Sequence, residues 1–233
     1  MPLHRPRPPA QRASARIRAV VLDIGETCVN TWCDYRRWAK WLGVPAHTFS
    51  AAVGAAIVRG GDEYDALSML RPDIDPAVEV RRRASSADFE AFGEEDLYPD
   101  VRPALTALRQ AGVWVAIAGN QSLASEATLQ QMHLPCDLIA TSASWGVRKP
   151  DAEYFERVVQ YAPCQRQEIL HVGDRVDNDI RPANQAGLLT AHLRRGPWGC
   201  LSPPHSSRPD DRPTFSIESL TELPGSVLGD VRL

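Results

Sequence analysis

The sequence predicts an α/β protein with a Rossmann-like, doubly wound parallel sheet and an all-helical block inserted after the first strand. Two patterns predict it. From Leu97 onward, short apolar runs alternate with amphipathic segments at helical spacing, which is the signature of βαβ units with right-handed crossovers. Between Cys33 and Glu95 the helical pattern continues but no strand pattern occurs, although a strand has already formed upstream. The expected division is a disordered basic leader over 1–16, a core over 17–31 and 97–233, and a helical lid over 32–96.

Bulk composition narrows the function. The 233 residues are 43% hydrophobic, enough for one good-sized core, so global disorder is excluded. A formal charge of −3 and a pI near 6.1 offer no electrostatic footprint for nucleic acid or an anionic membrane. No apolar run reaches membrane-spanning length and no signal-peptide core is present. The opening MPLHRPRPPAQRASAR is basic and proline-rich without apolar content, hence the leader assignment. Five cysteines, an odd number without a CxxC pair, suit reduced thiols in a cytoplasmic protein. Cys28, close to Asp23 but without a histidine nearby in sequence, is read as packing. The oligomeric state is left open between monomer and homodimer.

The first strand is the run Ala19 to Leu22, which ends at Asp23 and breaks at Gly25. A short run without alternation suits a strand buried on both faces. TWCDYRRWAKWLG then places Trp38, Trp41 and Leu42 at helical spacing and stops at Gly43. Thr48 is expected to cap the next helix, FSAAVGAAIVRG, which Gly60-Gly61 ends. Helices follow over Glu63 to Leu70 and Pro76 to Phe92, separated by the turn-rich RPDIDP. After a turn at Leu97, a helix with Leu105 and Leu108 on one face leads to a second strand, Val113 to Ala118. Ser122 to Met132 reads as a helix and Leu138 to Thr141 as a strand. A helix over Ala152 to Tyr161, a strand over Glu168 to Val172, a helix over Ile180 to Ala186 and a strand over Leu188 to Leu193 complete the series. Gly199 to Arg212 is a Ser/Pro-rich loop, and Thr214 to Leu223 returns as a last strand or turn with a short helix.

Polar residues stand where three of these strands end: Asp23 after the first, Asn120 after the second, Asp174 and Asp179 after the fourth. In a doubly wound sheet such ends converge on one rim, the usual place for a ligand. Several carboxylates brought together there are costly unless a cation neutralises them, and a shell of oxygens suits Mg²⁺. Lys149, just before Pro150, supplies a positive charge for an anionic substrate. Metal, lysine and a carboxylate nucleophile together fit phosphoryl transfer through an acyl-phosphate.

These residues resemble the motifs of the haloacid dehalogenase superfamily, whose members are mostly phosphatases. The resemblance runs from about Ala19 to Leu193. Asp-x-Asp-x-Thr of the first motif falls on Asp23, Gly25 and Thr27, and the second motif's hydroxyl residue and following Asn fall on Gly119 and Asn120. The third motif's lysine is Lys149, and Gly-Asp-x-x-x-x-Asp of the fourth is Gly173, Asp174 and Asp179. The helical block matches the family's helical cap. The resemblance implies Asp23 as nucleophile and metal ligand, Gly25 lending its carbonyl to the metal, Asp174 as second carboxylate ligand, and Asp179 supporting the metal's water shell or Lys149. Backbone N–H groups of Gly119 and Asn120 would donate to the phosphoryl oxygens.

Two positions depart from the pattern: Gly25 replaces the second Asp, the general acid and base, and Gly119 replaces the hydroxyl residue. The expectation is a Mg²⁺-dependent phosphatase of a small phosphorylated metabolite. Its alternatives are a protein that keeps the fold but has lost turnover and serves as a binding or regulatory partner, and an enzyme attacking carbon as the dehalogenases do. Of the remaining residues, His171 is read as a satisfied core histidine and Trp32, Trp38 and Trp41 as cap packing. Arg81 to Arg83 are read as a solvated helix face, Asp177 as a solvent-facing loop carboxylate, and RRGPWG, Arg194 to Gly199, as a rigid turn.

Overall fold

A computed structural model describes residues 16–86, 92–201 and 208–223. The leader expected over 1–16 lies, Arg16 apart, outside the described residues. The helix expected over Pro76 to Phe92 stops sooner, at Ala84 with Ser85 as its C-cap, and Phe92 is not helical.

Strand β1 (Ala19–Leu22) is buried along its whole length, and its side chains alternate between two apolar clusters on opposite faces of the sheet. Val20 and Leu22 enter the first cluster, Ala19 and Val21 the second, so a run without polar alternation is what both faces require. Strands β2 (Trp114–Gly119), β3 (Leu138–Thr141), β4 (Ile169–Gly173), β5 (Leu189–Leu193) and β6 (Phe215–Ile217) complete a parallel sheet in the order β3-β2-β1-β4-β5-β6. The chain runs outward from β1 through β2 to β3, then crosses back to β4, so the switch point lies at β1. Leu22 is in register with Ile117 and Val172, which sets Asp23 one step beyond both pairs, on the carboxyl rim.

The helical insert comprises α1 (Trp32–Leu42), α2 (Ala46–Val58), α3 (Asp65–Leu70) and α4 (Pro76–Ala84). It holds a third cluster of its own, built on Tyr35, Trp38, Phe49, Val53 and Leu67, with the Trp38 and Phe49 rings stacked at 6.4 Å. Gly43 ends α1 in the left-handed conformation at φ 69°, as its position in the sequence predicts. Thr48 is not a cap: Pro45, with an extended backbone, occupies that position and α2 begins at Ala46.

Helix α5 (Val101–Gln110) buries Val101, Ala104, Leu105 and Leu108, one turn-spaced stripe, on the first face of the sheet, where Leu129 of α6 (Leu123–Gln131) joins it. A single turn, α7 (Ser142–Trp145), was not expected; Thr141 caps it through Ser144 N. Tyr154, Phe155 and Val158 of α8 (Ala152–Tyr161) and Ala183 of α9 (Arg181–Gln185) cover the second face. RRGPWG is not a turn. It opens α10 (Gly196–Leu201), whose Trp198 packs into the insert's cluster and so ties the two regions together. Arg81 and Arg82 are exposed as expected, whereas Arg83 is buried, its guanidinium 4.4 Å from the Trp38 ring and 2.6 Å from Asp34. No single helix among the described residues is long and apolar enough to cross a membrane.

Candidate active site

The carboxyl rim of the sheet gathers Asp23, Asp174 and Asp179. All three are buried, with ligand-competent oxygens within 4.8 Å of one another. Asp23 follows β1, and its N–H donates to Val172 O of β4 at 2.9 Å. Asp174 follows Gly173 at the end of β4. Asp179 folds back over that glycine, where any Cβ would stand 2.3 Å from the Asp179 carboxyl carbon. Only glycine at 173 leaves the carboxylate that position.

Lys149, 1% exposed, reaches into this cluster, its Nζ 2.5 Å from both Asp23 Oδ1 and Asp179 Oδ1. Its backbone is fixed by Asn120, which donates through Nδ2 to Lys149 O and accepts from Lys149 N, each at 2.9 Å. The Asn120 side chain is therefore a clamp on the lysine. Asp179 has both oxygens engaged, since His171 Nε2 stands 3.2 Å from Oδ1 and Arg175 N donates to Oδ2. His171 is buried in the core as expected but is not satisfied: Nε2 stands beside Asp179, while Nδ1 has no hydrogen-bond partner among the described residues.

Electrostatics separates the three carboxyls. Burial pushes Asp23 up, and Lys149 offsets only part of that. Burial also drives Asp174 well above the ordinary carboxylate range, with Asp179, Asp23 and Glu26 adding to it; Asp174 makes no ion pair among the described residues. Burial pushes Asp179 up as well, but Lys149 and His171 more than offset this and hold it below the ordinary range. For Lys149, burial works against the charge, and Asp179 and Asp23 outweigh it, so its ammonium is held protonated. One ammonium thus faces three carboxyls, an imbalance that a divalent cation would correct.

The two departures from the sequence pattern have separate physical settings. A Cβ on Gly119 would stand 2.5 Å from Asp23 Oδ1 and 3.2 Å from Ile24 N, so a side chain there collides with the carboxylate as placed. At Gly25 a Cβ would meet only Thr31 Cγ2, at the ordinary distance of 3.5 Å. Glu26, next in sequence, adopts φ 53° and is buried. Its Oε1 accepts from Thr31 N at 2.9 Å and from Thr31 Oγ1, and its Oε2 accepts from Tyr98 OH at 2.6 Å. That engagement holds a non-glycine residue in the left-handed region, where strain is of order 1–3 kcal/mol.

The rim opens into a cavity of 420 Å³ lined by Asp23, Lys149 and Asp174 below and by Tyr35, Glu63 and Tyr64 of the insert above. Glu63, just before α3, was missed by sequence reasoning. RGGDEYD reads only as a polar start to a helix, and nothing in it says which carboxyl faces the rim. Arg175 and Trp198 were missed as a pair for the same reason: the guanidinium lies 3.6 Å from the ring centroid, between residues 23 apart in sequence. Asp177 is exposed and bonded to Arg175 Nη2 at 2.8 Å, outside the cluster as expected.

A family model of haloacid dehalogenase-like hydrolases matches residues 17–187. The chain belongs to this family. Among curated relatives, the glyceraldehyde 3-phosphate phosphatase of Methanopyrus kandleri is 33% identical over 129 residues, covering 54% of each chain. A phosphoglycolate phosphatase of Vibrio vulnificus is 29% identical over 181 residues, 75% of this chain and 76% of that one. The chain spans about half the length of the first of these. Among solved structures, the hydrolase YfnB of Bacillus subtilis, determined with magnesium bound, aligns with TM-score 0.67 at 21% identity over 92% of this chain and 100% of its own. A dehalogenase with an intermediate complex aligns at 0.65 and 20% identity, over 92% and 99%. At such identities the likeness shows the fold, and it does not choose between phosphorus and carbon as the atom attacked.

Proposed function

We propose that the chain is a Mg²⁺-dependent hydrolase of small phosphate monoesters, with Asp23 as the nucleophile. The observation that carries this reading is Lys149 held between Asp23 and Asp179 at the floor of the cavity, with Asp174 beside them and without a cationic partner among the described residues. Curated relatives named for glyceraldehyde 3-phosphate and phosphoglycolate, both small phosphate monoesters, support it.

The donor set fits the metal: oxygens only, few in number and in excess of the local positive charge. Asp23, Asp174 and the Gly25 carbonyl would hold Mg²⁺, with Asp179 supporting from behind, and the ion would supply charge neutralisation for the phosphoryl group. Asp23 attacks phosphorus and carries the phosphoryl group as an aspartyl-phosphate, which water then cleaves. Lys149 binds a phosphoryl oxygen, and Asn120 keeps the lysine backbone in place while its partners change. Backbone N–H groups at Gly119 and Asn120 bind the other oxygens. Residues 32–96 act as a lid on the core of 17–31 and 97–233, excluding water that is not positioned to react.

A second reading, a fold retained for binding without turnover, draws on Gly25, which carries no carboxylate, and on Glu26, whose carboxylate is fully engaged. One experiment separates the two. Purified wild type and Asp23→Asn are assayed on a panel of phosphate esters with Mg²⁺ and with chelator, and Mg²⁺ binding is measured by calorimetry on wild type and Asp174→Asn. The phosphatase reading expects Mg²⁺-dependent turnover that disappears in Asp23→Asn, and at least about tenfold weaker Mg²⁺ binding in Asp174→Asn, since even outer-shell changes cost 10–100-fold. Wild-type and Asp23→Asn rates that match on every ester would leave the binding reading. Equal Mg²⁺ affinity in wild type and Asp174→Asn would remove the metal assignment.

A further inference from the structure

A second cavity, of 310 Å³, adjoins the first. Tyr35, Trp38, Val80 and Phe92 give it an apolar, aromatic lining. The two cavities share Gly25 and Asn120 from the rim and Tyr35, Glu63 and Tyr64 from the insert. With the phosphoryl group over Asp23 in the first cavity, the second is the space left for the alcohol part of the ester, and the bridging oxygen would fall at the seam between them.

We infer that Glu63 is the proton donor to the leaving oxygen of an ester whose aromatic or similarly apolar alcohol occupies the second cavity. The inference rests on the phosphatase reading above. As Asp23 bonds to phosphorus, the ester P–O bond breaks with its electron pair on the alcohol oxygen, which takes the proton of the Glu63 carboxyl. In the second step water attacks the phosphorus, its proton passes to the Glu63 carboxylate, and the P–O bond to Asp23 breaks with the electron pair returning to Asp23.

No other acid at the seam is as well suited. Glu26 accepts three hydrogen bonds, from Thr31 and Tyr98. Burial raises the phenols of Tyr35 and Tyr64, the latter to about 12, which makes them poor donors. Glu63 is half-buried, and its carboxyl has no hydrogen bond or ion pair among the described residues. Burial pushes it up; Arg175, from the turn after β4, pulls it down, while Asp34 on α1, its neighbour Asp62 and Glu26 push it up again, to about 7. Arg148, from the stretch before Lys149, lines the first cavity, and Arg37 and Arg83 from the insert line the second. A carboxyl in that range is protonated often enough near neutrality to serve as acid and then as base.

The test compares benzyl phosphate, whose alkoxide needs the proton, with 4-nitrophenyl phosphate, whose phenolate needs little. For wild type, the ratio of kcat/KM, benzyl over nitrophenyl, should fall as pH rises through about 7, because the donor must be protonated. Glu63→Gln should lower that ratio by about 10²–10⁴ and flatten its pH dependence. Glu63→Asp, which keeps an acid, should lie between. The double variant Gly25→Asp with Glu63→Gln should regain part of the benzyl rate, since Gly25 lines both cavities and has room for a side chain. A pH-independent ratio in wild type, or equal losses on both esters in Glu63→Gln, overturns the inference and leaves the phosphatase reading intact. If wild type hydrolyses neither ester with Mg²⁺ present, the phosphatase reading falls and this inference with it.

Discussion

At the rim of the sheet, Lys149 sits between two carboxylates, Asn120 grips its peptide on both sides, and His171 holds Asp179 from behind. Across the same cavity the helical insert presents Glu63, which has no hydrogen-bond or ion-pair partner among the described residues, next to Tyr35 and Tyr64. Asp23 and Asp174 directly follow buried parallel strands, which cannot shift without breaking the sheet, and Lys149 joins Asp23 to Asp179. The insert rests on its own apolar cluster, joined to the rest through Trp198. A site assembled from these two parts has its charge-handling groups prearranged on one side and the insert's carboxyl and phenols on the other. That is the division expected where phosphate chemistry stays constant and the ester's alcohol varies.

The sharpest way to break this contrast is to remove the rim's one ammonium. Lys149→Met leaves Asp23, Asp174 and Asp179 uncompensated, and loss of one partner of a buried pair costs about 3–5 kcal/mol. Denaturant unfolding without metal should show a loss of that order. Its pH dependence has a definite sign. Asp179, held low in the wild type, contributes stability above the usual carboxylate range that is lost as pH falls. In the variant the same carboxyl is buried without its cation, so its ionisation costs stability as pH rises. The deficit against wild type should therefore be greatest at neutral pH and shrink in acid. A deficit that stays the same across that range would mean the rim's carboxylates are not coupled to Lys149.

The same contrast explains what the sequence makes legible. Asp23, Asn120 and Asp174 could be found because each stands directly after a recognisable apolar run, and Asp179 because it follows Asp174 within the same short segment; strand ends of a doubly wound sheet meet on one rim. The strand β3 was delimited correctly from Leu138–Thr141 alone. Glu63 had no such local marker: its position depends on how α3 packs on α2, and the packing of one helix on another is not written in a six-residue string. Arg83 read as one of three solvated arginines, because its burial comes from Trp38 and Asp34, 45 and 49 positions away. The short helix at Gly196 was hidden by glycine and proline, residues that ordinarily argue against one. Asn120 was found as a rim residue, but its hold on the lysine spans 29 positions and had no sequence signal.

Glu26 offers a finer test, because it belongs to the rim in sequence yet bonds away from it, to Thr31 and Tyr98. If it is a clamp, Glu26→Gln should keep its shape and lose the charge-assisted part of those bonds, at a cost of about 1–2 kcal/mol. The ratio of benzyl to nitrophenyl phosphate rates should stay near the wild-type value. A ratio that collapses, with stability unchanged, would transfer the proton-donor role from the insert to the rim and dissolve the contrast.

A last comparison lies between two rim glycines, where one substitution should give opposite results. At Gly119 a Cβ stands 2.5 Å from Asp23 Oδ1, so Gly119→Ala must displace the carboxylate or the strand end. Overpacking of this kind costs about 1–3 kcal/mol, and with Asp23 displaced from its proposed role as nucleophile, hydrolysis of both esters should slow alike. At Gly25 a Cβ meets only Thr31 Cγ2 at 3.5 Å, and its φ is not in the left-handed region. Gly25→Ala should then stabilise by about 0.4–1 kcal/mol, by restricting the unfolded chain. Its methyl group also enters the seam between the cavities, so KM for benzyl phosphate should rise while the nitrophenyl kcat holds. Thermal unfolding and steady-state kinetics on the two variants read all four quantities. If Gly25→Ala destabilises as much as Gly119→Ala, the turn after β1 is as tightly packed as the end of β2, and the second cavity does not open at Gly25.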